Sequence, residues 1–329
     1  MKVINRLLIV LLIFSLVSCK DTSVSTTPYK TNDILSNETI DWSNFQYNID
    51  TDGHVVKIMN DLCSNTYLGR VVGTMENEKT QEYIKDYFKS LNISPFTENY
   101  YISNKDGIIP LDENTNNVAA VIKGTDSSKA VYITAHLDHV NDSNKKPLNG
   151  AIDNASGIAV LLETAHKIKE LTDKSPLDMD IVFVAFNAEE LGLLGSQNFF
   201  HKYHNNYLES YNINIDCVAQ KNCSTLSMGN DDINSENLYK AMRETFDKEN
   251  VIYDNSLYAT KNGMRYGTSD HIVIRQYGFP SLVLGDSTIM DVVHTTNDNL
   301  DNIDYSDLEK LSDALSKFLI YNNGKTFNN

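Results

Sequence analysis

Residues 181–190 read IVFVAFNAEE, six apolar residues followed by an asparagine, an alanine and two glutamates. Because both faces of the apolar run are hydrophobic, it predicts a central strand that helices cover on both sides. In open α/β sheets, ligands bind beyond the carboxyl ends of the strands. Residues 187–190 are therefore expected to lie in a functional cleft.

Three other predicted strands are followed closely by residue types that bind metals. They are AVYITA (130–135) before His136 and Asp138, NINI (212–215) before Asp216, and SLVL (281–284), after which a loop leads to His294. Helices are predicted at 79–91, 158–171, 190–203, 235–248, 269–277 and 306–319. This alternation predicts an α/β fold with a mostly parallel central sheet sandwiched between helices, in one domain over residues 47–329.

Two histidines and three carboxylates are candidate metal ligands. They are His136, Asp153, Glu190, Asp216 and His294. Asp153 lies in the turn GAIDNASG (150–157) before a helix, where a carboxylate could bridge two cations. Each residue also has an ordinary interpretation, since Asp153 alone would be a helix N-cap and His136 alone a structural histidine. Their common position after strand ends favours a metal site, and this donor set is typical of zinc.

Neighbouring residues suggest separate roles. His136 and Asp138 point the same way on an extended chain, so Asp138 could fix the tautomer of a metal-binding His136. Glu189 and Glu190 are adjacent and cannot easily reach one point, which suggests one metal ligand and one general base. His139 lies an odd number of positions from His136. It is therefore expected to face away from the site, as a supporting or structural residue.

Together these motifs resemble the M28 zinc aminopeptidases. The matching segments are, in order, GRVVGT (69–74), TAHLD (134–138), GAIDNASG (150–157), NAEELGLLGS (187–196), NID (214–216), GTSDH (267–271) and HTT (294–296). DNASG and AEELGLLGS are specific signals, whereas SDH and the GRVVGT pattern are weak alone. The resemblance implies the three-layer zinc-exopeptidase fold, which is phosphorylase/hydrolase-like, and an aminopeptidase acting on peptides with a free N-terminus.

The resemblance also implies the ligands of two zinc ions per chain. One ion would be bound by His136 and Asp216, the other by Glu190 and His294, and both by Asp153. Glu189 would be the general base on a water that bridges the metals, and Asp138 would support His136. The peptide bond between Asp153 and Asn154 would be cis.

Near the cleft the chain departs from the family at two positions. Thr268 stands where many members have arginine, and Val293 where some have tyrosine. Family contacts with substrate are therefore not carried over to these positions. Asp298, four residues after His294, could orient that histidine or could belong to a polar turn.

Other functions share parts of this pattern. Glutaminyl cyclases have the same fold but typically use one zinc, and the presence of both His136 and Asp216 favours two. A peptide-capturing lipoprotein without turnover is a second alternative, against which the intact Glu189 argues. A carboxypeptidase is a third, because related zinc folds differ in which peptide end they bind.

The N-terminus predicts export and a lipid anchor. Residues 1–18 resemble a signal peptide, whose apolar run (7–17) is too short to span a bilayer. The segment LVSC (16–19) resembles a bacterial lipobox in which Cys19 is lipidated, and an ordinary signal with a chance cysteine is the alternative. Residues 19–46 have the composition of a tether. The sequence thus predicts an extracytoplasmic lipoprotein of the cell envelope, held at the membrane by its anchor alone.

Charge and cysteine content limit the partners further. The formal net charge is −16, and it becomes −18 once residues 1–18, with their two basic residues, are removed. This argues against nucleic acid and against electrostatic binding to anionic lipid, and it is compatible with metal cations and a substrate amine. Cys217 and Cys223 could form a disulfide in an oxidising compartment or could be two unrelated thiols. No CxxC spacing indicates cysteine-bound zinc.

Overall fold

The computed structural model describes residues 54–104, 111–223, 225–228, 232–254, 260–261, 264–265, 268–287 and 289–328. The predicted signal peptide, the tether and Cys19 lie outside these residues, so they stay predictions. Among the described residues, no helix has both the length and the hydropathy needed to cross a membrane.

Eight strands form one mixed sheet with parallel strands at its centre. In spatial order they are β1 (Pro95–Asn104), β2 (Leu111–Ile122), β4 (Met179–Phe186), β3 (Asp126–His136), β5 (Glu209–Ile215), β10 (Ser281–Asp286), β6 (Leu226–Met228) and β7 (Tyr253–Asp254). The central strands β4, β3, β5 and β10 pair in parallel, while β1 with β2, β2 with β4 and β10 with β6 pair antiparallel. The short strands β8 (Thr260–Lys261) and β9 (Met264–Arg265) form a separate antiparallel pair. The carboxyl ends of the four central strands therefore meet at one edge.

Helices cover both faces of the sheet. They are α1 (His54–Leu62), α2 (Met75–Ser90), α3 (Ser156–Thr172), α4 (Leu194–Tyr203), α5 (Glu236–Glu249), α6 (His271–Arg275) and α7 (Tyr305–Tyr321). On β3, Val131 and Ile133 join the core formed with α1, α2, α3, α5 and α7. The intervening Tyr132 packs against Phe199 and Phe200 of α4 on the other face. The predicted α/β sandwich is confirmed.

Two helices begin four residues away from their predicted starts at 79 and 190, for local reasons. Helix α2 begins earlier than expected because the Thr74 side chain accepts a hydrogen bond from the Asn77 amide and so caps the helix at Met75. Helix α4 begins only at Leu194, because Leu193 adopts a left-handed conformation with a φ of 63°. Residues 189–193 consequently form a turn, and both glutamates lie on a loop at the carboxyl edge of the sheet rather than on a helix.

Candidate metal centre

The carboxyl edge of the sheet carries the predicted donors. His136 is the last residue of β3, and Asp216 directly follows β5. The loop after β4 carries Glu190, and a short helical turn after β10 leads to His294. The parallel order of these strands brings together side chains that lie up to 158 positions apart in the sequence.

Asp153 lies between two groups of donors and faces each with a different oxygen. Its Oδ1 is 3.3 Å from His136 Nε2, and its Oδ2 is 3.0 Å from His294 Nε2. The carboxylate is buried in the turn Ala151–Ala155, where the bond between Asp153 and Asn154 is cis, as the resemblance implies. Asp153 therefore has the placement that a bridging ligand requires.

The first group consists of His136, Asp153 and Asp216. His136 Nε2 lies 3.3 Å from Asp216 Oδ1, the same distance as from Asp153. On the other side of the ring, His136 Nδ1 is 3.2 Å from the Asp138 carbonyl oxygen. A proton on Nδ1 donated to that carbonyl leaves Nε2 free to bind a cation.

The second group contains His139 as well as the expected residues. Glu190 Oε1 is 3.0 Å from His294 Nε2 and 3.3 Å from His139 Nδ1, and Asp153 Oδ2 is 3.7 Å from His139 Nδ1. The expectation that His139 faces away is wrong. The alternation of side chains applies only within a strand, and β3 ends at His136, so the chain has already turned when it reaches His139.

Asp138 contacts the backbone of Glu189 and Glu190 as well as His136. Its carboxylate accepts hydrogen bonds from the amides of Glu189 (3.1 Å) and Glu190 (3.2 Å), while its nearest oxygen is 3.7 Å from His136 Nδ1. One buried side chain thus links the loop after β3 to the loop after β4. Asp138 fixes the backbone from which both glutamates project.

Asp298 fixes the turn that carries Asp153. Its carboxylate accepts hydrogen bonds from the amides of Ile152 (2.6 Å) and Asp153 (3.2 Å), and its Oδ2 lies 4.0 Å from His139 Nε2. Burial raises the pKa of Asp298 to about 6, against the lowering effect of His139. Of the two roles considered from the sequence, the position in a turn is present, since the Asp298 amide donates to the Thr295 carbonyl at 3.1 Å, while the carboxylate contacts the Asp153 turn and His139 rather than His294.

The residues present fit zinc in their number, chemistry and spacing. Donors held about 2.0–2.2 Å from a tetrahedral zinc lie roughly 3.3–3.6 Å apart, close to the separations in both groups. In the described part of the chain, the ion pairs of Asp153, Glu190 and Asp216 involve histidines and no lysine or arginine. Hydrogen bonds from His294 to Asp153 and Glu190 raise the pKa of His294 to about 11. The cleft thus holds an excess of buried negative charge, which favours cations.

Glu189 belongs to neither donor group. Its carboxyl pKa is raised well above the ordinary value by burial, with Asp270, Asp216 and Glu190 adding to the effect and His136 opposing it. A carboxyl group beside the donors that is not itself a ligand, and whose affinity for protons is increased, is suited to accept a proton.

Arg70, in the upstream GRVVGT segment (69–74), binds the backbone around the centre. Its buried guanidinium donates to four backbone carbonyls: Nε to Leu137 (3.0 Å), Nη1 to Leu62 (3.3 Å) and Asn149 (3.0 Å), and Nη2 to Gly150 (2.7 Å). These carbonyls belong to the end of α1 and to the segments just before Asp138 and before the Asp153 turn. Arg70 therefore anchors two loops of the centre without touching a donor.

Arg70→Met is expected to lower the free energy of unfolding by about 3 kcal/mol or more, because four carbonyls lose a charged donor and at least one stays buried without a partner. Chemical denaturation measures the change. The matched control is Arg243→Met on the exposed side of α5, for which a loss below about 1 kcal/mol is expected. Equal losses in the two variants would contradict the anchoring role of Arg70.

The cysteines after β5 are not bonded to each other. Cys217 and Cys223 are both free thiols in the structure. Cys223 Sγ donates instead to the carbonyl of Thr225 at 3.3 Å, and Cys217 is buried next to the donor groups. Burial, followed by the charges of Asp153 and Asp216, raises the pKa of Cys217 well above its ordinary value. The disulfide considered from the sequence is therefore not present.

Comparison with known proteins identifies the family. The profile described as "Peptidase family M28" matches residues 117–319. Aminopeptidase YwaD of Bacillus subtilis (strain 168) is 33% identical over 195 residues, which cover 56% of this chain and 39% of that protein. Leucine aminopeptidase 1 of Ajellomyces capsulatus (strain NAm1 / WU24) is 28% identical over 199 residues, which cover 57% of this chain and 51% of that protein. The chain thus spans about two fifths to one half of the length of these curated relatives.

Solved structures share the fold over most of the chain. A zinc aminopeptidase from Bacillus subtilis superimposes with a TM-score of 0.69 at 18% identity, covering 83% of this chain and 95% of that one. A glutaminyl cyclase from Fimbriiglobus ruber gives a TM-score of 0.69 at 18% identity, covering 84% of this chain and 97% of that one. At these identities the likeness establishes the open α/β fold and does not separate the two activities.

Proposed function

The chain belongs to peptidase family M28, and on this premise we propose that it is a di-zinc aminopeptidase that removes N-terminal residues from peptides. The observation that carries the proposal is the placement of Asp153, whose two oxygens face His136 and His294 at 3.3 Å and 3.0 Å. A carboxylate that faces a different histidine with each oxygen can bind one cation on each side, which supports a bridging role.

The two donor groups define the proposed metal ligands. His136 and Asp216 would hold one zinc, Glu190 and His294 the other, and Asp153 both. When bound, zinc supplies Lewis acidity that polarises the scissile carbonyl and acidifies water. The remaining contributions to catalysis would come from side chains on the loops at the carboxyl edge of the sheet.

Glu189 would be the general base. Its carboxylate, which belongs to neither donor group, would take a proton from the attacking water and return that proton to the departing amine. The hydrogen bond from its own amide to Asp138 fixes the backbone from which the carboxylate projects. Asp138 would be a positioning residue for the base and, through its carbonyl, for His136.

The charge of the cleft favours a substrate with a free N-terminus. Carboxylates outnumber cationic side chains around the donor groups, and the whole chain carries a net charge of −16. A protonated α-amino group complements this field, whereas an acetylated N-terminus does not. The predicted signal peptide and Cys19 anchor would place this activity outside the cytoplasm.

A glutaminyl cyclase is the alternative with the same fold, and its structural similarity is equal. The presence of two complete donor groups favours the peptidase. Free-amine aminoacyl substrates, their N-acetylated forms and an N-terminal glutamine peptide distinguish the two when the zinc content is measured in parallel. We expect cleavage of free-amine substrates only, with two zinc ions in the cleft. Cyclisation of the glutamine peptide without cleavage would contradict the proposal.

His139 is expected to strengthen the second zinc site. Its Nδ1 faces Glu190 and Asp153, its Nε2 faces Asp298, and a Cβ at Gly150 would come within 2.6 Å of its ring. We expect His139→Ala to weaken zinc binding at the second site by about 10–100-fold, the usual effect of losing a residue that supports or supplements a ligand. Competition with a fluorescent chelator measures this affinity. His201→Ala, an exposed histidine of α4, is the control, and equal affinities in the two variants would contradict the role.

A further inference from the structure

A second cluster of metal-binding residue types lies outside the cleft, where α1 packs on α3. It consists of His54, the first residue of α1, with Glu163 and His166 of α3. It shares no residue with the groups around Asp153, and nothing in the proposed peptidase mechanism uses it. The three residues are referred to below as the α1–α3 cluster.

The atoms of the α1–α3 cluster are spaced as ligands around one cation. Glu163 Oε2 is 3.5 Å from His54 Nδ1 and 3.8 Å from His166 Nδ1, and the two imidazole centroids are 4.5 Å apart. The two nitrogen–oxygen distances are close to the roughly 3.3–3.6 Å between ligands of a tetrahedral zinc and longer than the usual N–H···O hydrogen bond. This spacing is compatible with ligands of one cation.

The central carboxylate lacks a hydrogen-bond partner of its own. Glu163 has a side-chain exposure of 4%, and its Oε2 makes no hydrogen bond in the described part of the chain. The facing Nδ1 of His54 is likewise without one. A buried polar atom without a partner is costly, and a cation held between these two atoms would satisfy both.

The surroundings of the cluster are acidic. Lys167 lies 3.6 Å from the other oxygen of Glu163, but it also pairs with Glu309 and Asp313. Glu170 Oε1 lies 3.5 Å from His166 Nε2, the ring nitrogen that faces away from Glu163. A carboxylate behind a histidine in this way orients the ring and makes it a better ligand. The cluster and these neighbours together contain four carboxylates and one lysine, so the local charge favours a cation.

We propose that the α1–α3 cluster binds one divalent transition-metal ion of the zinc type. Two histidines and one carboxylate would be its ligands, and the partial exposure of His54 leaves a fourth position open to water. Because His54 lies at the start of α1 and the other two ligands lie on α3, the ion would link the two helices. Its effect would be on stability rather than on turnover.

The competing interpretation is a cluster held by charge alone. Burial raises the pKa of Glu163, but His166, Lys167 and His54 together lower it below its ordinary value, and Glu163 raises that of His166. A protonated His166 would then pair with the carboxylate without any metal. The two interpretations differ in zinc stoichiometry, which an experiment can measure.

Zinc titration of the chelator-stripped full chain by calorimetry tests the proposal. The wild type is expected to bind three equivalents and His54→Gln/His166→Gln two, with peptidase activity unchanged. A His201→Gln/His204→Gln control, which removes two histidines of the α4 region, should bind three. If the His54→Gln/His166→Gln variant binds as many equivalents as the wild type, or if the third equivalent binds only at millimolar zinc, the proposal is wrong.

Thermal unfolding gives an independent measurement that does not depend on zinc bound in the cleft. In an Asp153→Ala background, which is expected to empty the cleft, zinc in large excess over its Kd should raise Tm by roughly 5 °C. Adding His54→Gln and His166→Gln should abolish this rise. A rise that persists would overturn the proposal. A failure of the cleft to bind zinc in the parent chain, with the rise intact, would count against the proposed peptidase function alone.

Discussion

Glu189→Gln is expected to keep both cleft zinc ions and to lose roughly two to four decades of kcat, the usual contribution of a general base. The side chain belongs to neither donor group, so the amide should leave the ligands undisturbed. Glutamine cannot accept the proton of the attacking water. Steady-state kinetics together with zinc content by mass spectrometry measure both parts of the expectation.

The adjacent residue supplies a matched control. Glu190→Gln is the same substitution one position later, but Glu190 Oε1 lies 3.0 Å from His294 Nε2, within the second donor group. It should therefore lose zinc, whereas Glu189→Gln should not. Near-normal turnover in Glu189→Gln, or zinc loss in both variants, would reject the separation of roles between the two glutamates.

Asp153→Ala is expected to lose both cleft zinc ions, because this carboxylate is the one ligand that the two groups share. Activity should fall by at least roughly three decades, since the Lewis acid, which contributes several kcal/mol to transition-state stabilisation, is removed with the ions. Equilibrium dialysis against zinc, followed by metal counting, gives the number of equivalents lost.

Asp142→Ala is the control for this variant. Asp142 lies in the loop that leads to the same turn, and its carboxylate accepts hydrogen bonds from the amides of Asn144 and Lys146 instead of facing a donor. Zinc content in this control should equal that of the wild type. Loss of a single equivalent in Asp153→Ala would show that the carboxylate serves one ion and would remove the argument for a bridge.

The sequence predicted the placement of the donors well because the relevant signals are local. Apolar runs such as residues 130–135 and 181–186 mark strands that are buried on both faces, and a polar residue directly after such a run must lie at the strand end. Since the four central strands are parallel, His136 and Asp216 had to share an edge. No long-range information was needed beyond the alternation of strands and helices.

The residues that the sequence misplaced or did not single out depend on contacts made after a strand ends or across long separations. His139 could be placed correctly only by knowing where β3 stops. Asp298 holds the amides of Ile152 and Asp153, which precede it by about 145 positions. The partners of Arg70 are backbone carbonyls, which leave no signature in side-chain composition. Such contacts become visible only in three dimensions.

Anomalous diffraction at the zinc absorption edge, from crystals of the protein as purified, locates and counts the zinc ions bound at Asp153. Two peaks that flank the Asp153 carboxylate are expected, one next to His136 and Asp216 and the other next to Glu190 and His294. A single peak at this carboxylate, or none, would contradict the assignment of Asp153 as a bridge between two ions.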